Sequence, residues 1–156
     1  MAVHSQKAQK FGPNMTDMAR PQIVVYALTD AYAALQAAAE QNVEVTLVSP
    51  AGAAGFAGPG WFRELVGQAR DAMPDVAFDS VLDCANEAGL ALAVIRDGIE
   101  AICFDGPNGV RSKIEDIAAQ AGCALVNIDY QHALDLDRCT DASTTCREWL
   151  AQYSGK

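Results

Sequence analysis

The chain has no cluster of basic residues, no Cys-x-x-Cys pair, no apolar run long enough to cross a bilayer and few aromatic side chains. Each absence removes a class of function. Only 11 Lys and Arg stand against 20 Asp and Glu, a formal net charge of −9, and the basic residues are scattered. A duplex-binding surface needs them grouped to neutralise phosphates, so neither nucleic acid nor a membrane surface is an expected partner. No stretch approaches the roughly 18 apolar residues of a membrane span, and the first twenty residues lack the apolar core of a secretory signal. The five cysteines, Cys84, Cys103, Cys123, Cys139 and Cys146, are odd in number and unpaired in spacing, which fits a reducing, cytoplasmic compartment. Aromatics make up 7% of a chain that is 51% hydrophobic, so the core is built mainly from Ala, Val, Leu and Ile.

What is present is a change of period. Val81 to Pro107, VLDCANEAGLALAVIRDGIEAICFDGP, reads as strand, helix, strand. Asn86 is placed to cap the helix, Leu90, Ala93, Val94 and Asp97 mark its turns, and Gly98 ends it. The run Ile99 to Phe104 is apolar at nearly every position, as in a parallel strand covered on both faces. The same alternation runs along the chain. Strands are expected over 22–28, 43–48, 76–84, 99–104 and 123–128. Helical faces are marked by Ala31, Ala34, Leu35 and Ala38, by Phe62, Leu65, Val66, Ala69 and Met73, by Val110, Ile114, Ile117, Ala118 and Ala121, and by Cys146, Trp149, Leu150 and Tyr153. Asn42 and Gly122 close two of these helices, and residues 129–141 are expected to be a polar connection.

The fold class this implies is α/β: a five-stranded, mostly parallel sheet with helices on both faces, a three-layer sandwich of flavodoxin-like order 2-1-3-4-5 or of Rossmann-like order. A half (β/α)8 barrel is the minority form. At 156 residues without a linker, residues 22–156 are expected to form a single domain, and residues 1–21 a flexible N-terminal arm or appended leader.

In such a sheet ligands gather at the C-terminal strand ends. Those ends carry Thr29 and Asp30, then Ser49, then Asp83 with Cys84 and Asn86, then Asp105, then Asp129 with Tyr130 and His132. The only glycine-rich segment, Ala51 to Gly60, places Gly52, Gly55 and Gly58 ahead of a helix, where free N–H groups and the helix dipole favour an anion. It lacks the Lys-Ser/Thr of a P-loop and does not match Gly-x-Gly-x-x-Gly. Cys84, just before a helix, suggests a nucleophile with His132 as its base and Asp129 to orient the ring. Asp83, Asp105 and Asp129, ending three strands, are the residues that could converge on a divalent cation.

Glu44 to Gly52, EVTLVSPAG, resembles the second strand of the class I glutamine amidotransferase and PfpI-like families. The Gly-x-Cys-x-Gly elbow of those families is absent, as is a phospho-receiver's acidic pair after strand one, so no family residues carry over. The first expectation is therefore binding of a small anionic, phosphate-containing ligand at the C-terminal edge, through Thr29, Asp30, Ser49, Gly52, Gly55, Gly58, Asp83, Asn86, Asp105 and Asp129. An enzyme using Cys84 or an Asp-bound divalent metal is the second, and a structural or protein-interaction subunit, as a homodimer, the third. No cofactor is indicated.

Overall fold

The computed structural model describes residues 20–154, so the N-terminal arm lies outside the described residues apart from Arg20 and Pro21. The chain runs through β1 (Gln22–Val24), α1 (Leu28–Gln41), β2 (Val45–Val48), α2 (Ala53–Phe56), α3 (Gly58–Ala72) and β3 (Phe78–Asp83). It continues through α4 (Ala88–Arg96), β4 (Ala101–Cys103), α5 (Asn108–Ala121), β5 (Ala124–Leu125), β6 (Leu134–Asp135) and α6 (Ala142–Leu150). The α/β class is as expected. The sheet has six strands, every neighbouring pair parallel, in the order β5-β4-β3-β2-β1-β6.

That order corrects the expected ones. Strands one to five lie side by side in chain order, and β6, hidden in the polar connection, returns to the far side of β1. Four right-handed crossovers stepping the same way leave their helices on the same face. The burial pattern agrees: Ala34 and Leu35 of α1, Phe62 and Leu65 of α3, Val94 of α4, Ile114 of α5 and Leu150 of α6 share one cluster with Ile23, Leu47, Phe78, Leu82 and Ile102 of the sheet. The alternate strand residues Val24, Val48, Val81 and Ala101 form a second cluster, and their partners are Val126, Ile128 and Ala133. The connection over that face, residues 126–133, lies extended or in a turn. A half barrel shares the consecutive order, but here the face it would turn inward is covered by the chain's own residues 126–133 and the sheet ends at β5 and β6.

Span explains why this connection is not a helix. Eight residues must pass from one sheet edge to the other, five strand spacings of about 4.8 Å or roughly 24 Å, whereas eight helical residues advance only about 12 Å.

Local chemistry sets the boundaries. Asn42 and Gly122 take left-handed conformations at the C-termini of α1 and α5, donating their N–H groups to the last turn. Ala31, Ala34, Leu35 and Ala38 are all buried, and small side chains let α1 lie close to both the sheet and α6. In α4 the buried stripe is Ala91, Val94 and Ile95, while Ala93 faces solvent. Trp149 and Tyr153 lie with ring centroids 5.3 Å apart and planes tilted by 58°, and both pack on the main core. At the N-terminal edge, Arg70 binds Glu100 at 2.9 Å, and Glu100 in turn accepts the Ser80 amide at 3.1 Å. No helix among the described residues is long and apolar enough to cross a membrane.

Candidate functional site

The C-terminal edge brings together Ser49, Gly52 and Asp83 of the expected residues, and adds Tyr130. Asp83 ends the central strand β3 and is 6% exposed. Its Oδ2 accepts from the Gly52 amide at 3.1 Å and from the Tyr130 hydroxyl at 3.0 Å, and its Oδ1 accepts from the Ala85 amide at 2.9 Å. Ser49 Oγ accepts from the Asp83 amide at 2.9 Å and donates to Pro50 O at 3.0 Å. The Tyr130 hydroxyl, with one proton, is shared between Asp83 and Ser49 O at 2.9 Å.

The left-handed backbone at Gly52, φ 71°, aims its amide at Asp83. The place offered to an anion by the first glycine of the loop is therefore filled by the protein's own carboxylate. Gly55 is exposed within α2, and Gly58, φ 89°, opens α3. Burial, then the Asp83 charge, pushes the Tyr130 phenol well above its ordinary range, so its proton stays in place to donate.

The other expected residues stand apart. Thr29 is exposed in the first turn of α1, and Asp30 reaches back to accept from the Tyr26 amide at 2.8 Å and the Ala27 amide at 3.2 Å. Asn86 is exposed and is not the cap, since Glu87 occupies the N-cap position of α4. Asp105 is exposed, and its amide donates to Ala85 O at 2.7 Å. Among the described residues no three His, Cys, Asp or Glu side chains gather to hold a metal ion, so Asp83, Asp105 and Asp129 do not form the shared site their positions suggested.

The Cys84, His132, Asp129 grouping is not assembled either. Cys84 is fully buried in the helix-side core, and desolvation, reinforced by Asp83, Cys123 and Cys103, pushes its thiol up to about 12. The helix N-terminus that follows does not offset burial. His132 lies on the opposite layer with its side chain 80% exposed, its Nδ1 2.8 Å from Asp129 Oδ2. That hydrogen bond holds the Asp129 carboxyl below its ordinary value.

Three thiols share this upward displacement: Cys84 and Cys146 to about 12 and Cys103 to about 11, each from 9.0 and each chiefly by desolvation. Below pH 9 folded and unfolded chains hold these protons equally. Between 9 and about 11–12 the unfolded chain releases them while the folded chain keeps them, so stability falls as pH rises. Melting temperatures followed from pH 7 to 10.5 are expected to decline from about pH 9, and less steeply in Cys84→Ala.

Sequence reasoning placed Tyr130 at the edge but gave it no role, and it omitted Tyr26. Burial, then a hydrogen bond to Asp135, raises the Tyr26 phenol, with Asp137 and Asp30 adding to the effect. The β1–β6 end of the edge is thus strongly acidic. At the β4 end Arg111 donates from Nη1 to Phe104 O at 2.5 Å and lies near Cys103. No protein-family model matches the chain, and no curated protein matches it.

Proposed function

We propose that this chain is a binding domain for a small anionic, phosphate-containing ligand, held without covalent chemistry at the β3–β4 end of the C-terminal edge. One observation carries the reading: α4 and α5, which pack against each other, both begin on that edge, neither first turn has a side-chain cap, and Arg111 of α5, bonded to Phe104 O and 3.5 Å from Glu115, supplies a cation there. Uncapped N–H groups and the positive end of the helix dipole favour an anion. The acidic groups around Tyr26 disfavour one at the opposite end. A buried, protonated Cys84 supports binding in preference to nucleophilic catalysis.

Thermal-shift measurement with inorganic phosphate, nucleotides and phosphosugars tests this. A ligand at about 100 times its Kd is expected to raise the melting temperature by roughly 5–10 °C. No rise with any of them overturns the reading. Asp105 gives a test of sign, because it is exposed at the start of the turn leading into α5. Asp105→Asn is expected to tighten an anion by about two- to fivefold at low salt, with the gain vanishing near 0.5 M salt. Weaker binding in that variant points to a cationic ligand.

A further inference from the structure

The segment joining β5 to β6 differs from every other strand connection in the described chain. The others are helical and bury full apolar stripes, whereas residues 126–133 lie extended or in a turn across the helix-free face, with Val126, Ile128 and Ala133 only half-buried. The strands that anchor the segment have two residues each. Two polar clips fasten its middle. The Gln22 side chain takes both backbone positions, donating Nε2 to Asn127 O at 3.0 Å and accepting the Asp129 amide on Oε1 at 2.8 Å. Tyr130 supplies the second clip, its hydroxyl seated on Ser49 O and Asp83 Oδ2. Between the clips and the β6 anchor, the chain folds on itself: Asp129 O accepts the His132 and Ala133 amides, and Asp129 Oδ1 accepts the Gln131 amide at 3.2 Å. The tip is therefore a preformed turn that the Tyr130 phenol ties to the sheet's C-terminal edge.

We propose that residues 126–133 are a displaceable strap, with Tyr130 standing in as an internal ligand on Asp83 and Ser49 O. Its release opens those two acceptors at the centre of the C-terminal edge. Local units with few buried apolar contacts and side-chain clips open below the free energy of global unfolding. The strap also covers Cys103, whose thiol accepts a hydrogen bond from the Ile128 backbone and packs with Val126 and Ile128, so Cys103 reports on opening. This inference does not rest on the anion reading, because opening is measured on the protein alone.

The test is residue-resolved amide exchange with parallel thiol labelling of Cys103 at pH 8, on the native chain and on Tyr130→Phe. In the native chain the Asp129 amide is expected to exchange faster than the β3 amides of Leu82 and Asp83. In Tyr130→Phe, which leaves the Gln22 clip untouched, Asp129 exchange and Cys103 labelling are both expected to quicken by roughly tenfold, the effect of one hydrogen bond to a charged acceptor. The β3 amides are expected to stay slower than Asp129 in the variant and to quicken by no more than the same factor, since the lost bond weakens the native state against the open and the unfolded states alike. Strap and β3 amides exchanging in step in both proteins, or Asp129 and Cys103 unchanged by the substitution, overturns the proposal. Phosphate binding can then be lost or kept without bearing on these rates.

Discussion

Asp83→Ala is expected to lower the unfolding free energy by about 3–4 kcal/mol, because the substitution strands the donors that the carboxylate now satisfies. The donors are the Gly52 and Ala85 amides and the Tyr130 hydroxyl, converging on a side chain that is almost wholly buried. An unmatched buried donor costs on the order of 1–3 kcal/mol, but Tyr130 keeps Ser49 O and the glycine loop can turn its amide to water, so the full sum is not reached. Asp83→Asn separates charge from shape. Its amide oxygen still accepts two of the donors while its NH2 opposes the third, so about half the loss is expected. Urea unfolding with an unchanged m-value is the measurement. A loss below about 1 kcal/mol for Asp83→Ala would mean that the carboxylate is free for a ligand instead of serving the fold.

The same residue shows what the sequence made legible and what it did not. Parallel topology puts Asp83 at a strand end on the C-terminal edge, and an Asp in that position more commonly binds local backbone than a ligand. The helical faces of α1, α3 and α5 were visible as i, i+3, i+4 spacing, and the left-handed caps at Asn42 and Gly122 as residue types that tolerate positive φ. Strand order was not visible, since local pattern carries no information on which neighbours pair. Nor was β6, whose two residues lie in an acidic stretch too short for any period.

The sequence of the strap carries a signal that a buried strand shares. Cys123 to Ile128 is apolar enough to pass for a buried strand, yet only Ala124 and Leu125 pair in register, and the last bond to β4 is the Val126 amide on Ile102 O at 2.9 Å. From Val126 onward the half-buried Val126 and Ile128 alternate with the exposed Asn127 and Asp129, and Tyr130, though 38% exposed, continues the same side with its hydroxyl on the sheet edge. Period two means one covered side, and it fits a segment lying on a sheet as well as a strand within one. The difference between the two lies in backbone pairing, which side-chain pattern does not record.

The two faces of the sheet are separately held, and Phe78 tests this from the other side. Phe78 begins β3 on the helix face, is fully buried, and carries the Arg70 guanidinium 4.2 Å from its ring centroid. Arg70 also donates to Phe78 O at 3.3 Å and pairs with Glu100, so the ring supports a polar network at the N-terminal edge as well as the apolar core. Phe78→Ala is expected to cost about 4–5 kcal/mol, the cavity and transfer loss of a buried phenylalanine plus the lost cation–π contact of about 0.5–1 kcal/mol. Phe78→Leu keeps most of the volume and is expected to cost about 1–2 kcal/mol. Val81, on the opposite face, belongs to the cluster beneath the strap, whereas Phe78 belongs to the helix-side core. The stability losses of Phe78→Ala and Tyr130→Phe are therefore expected to add within about 0.5 kcal/mol in the double variant. A coupling above 1 kcal/mol would show that sheet and strap yield as one unit, and that the β3 backbone transmits between its two covers.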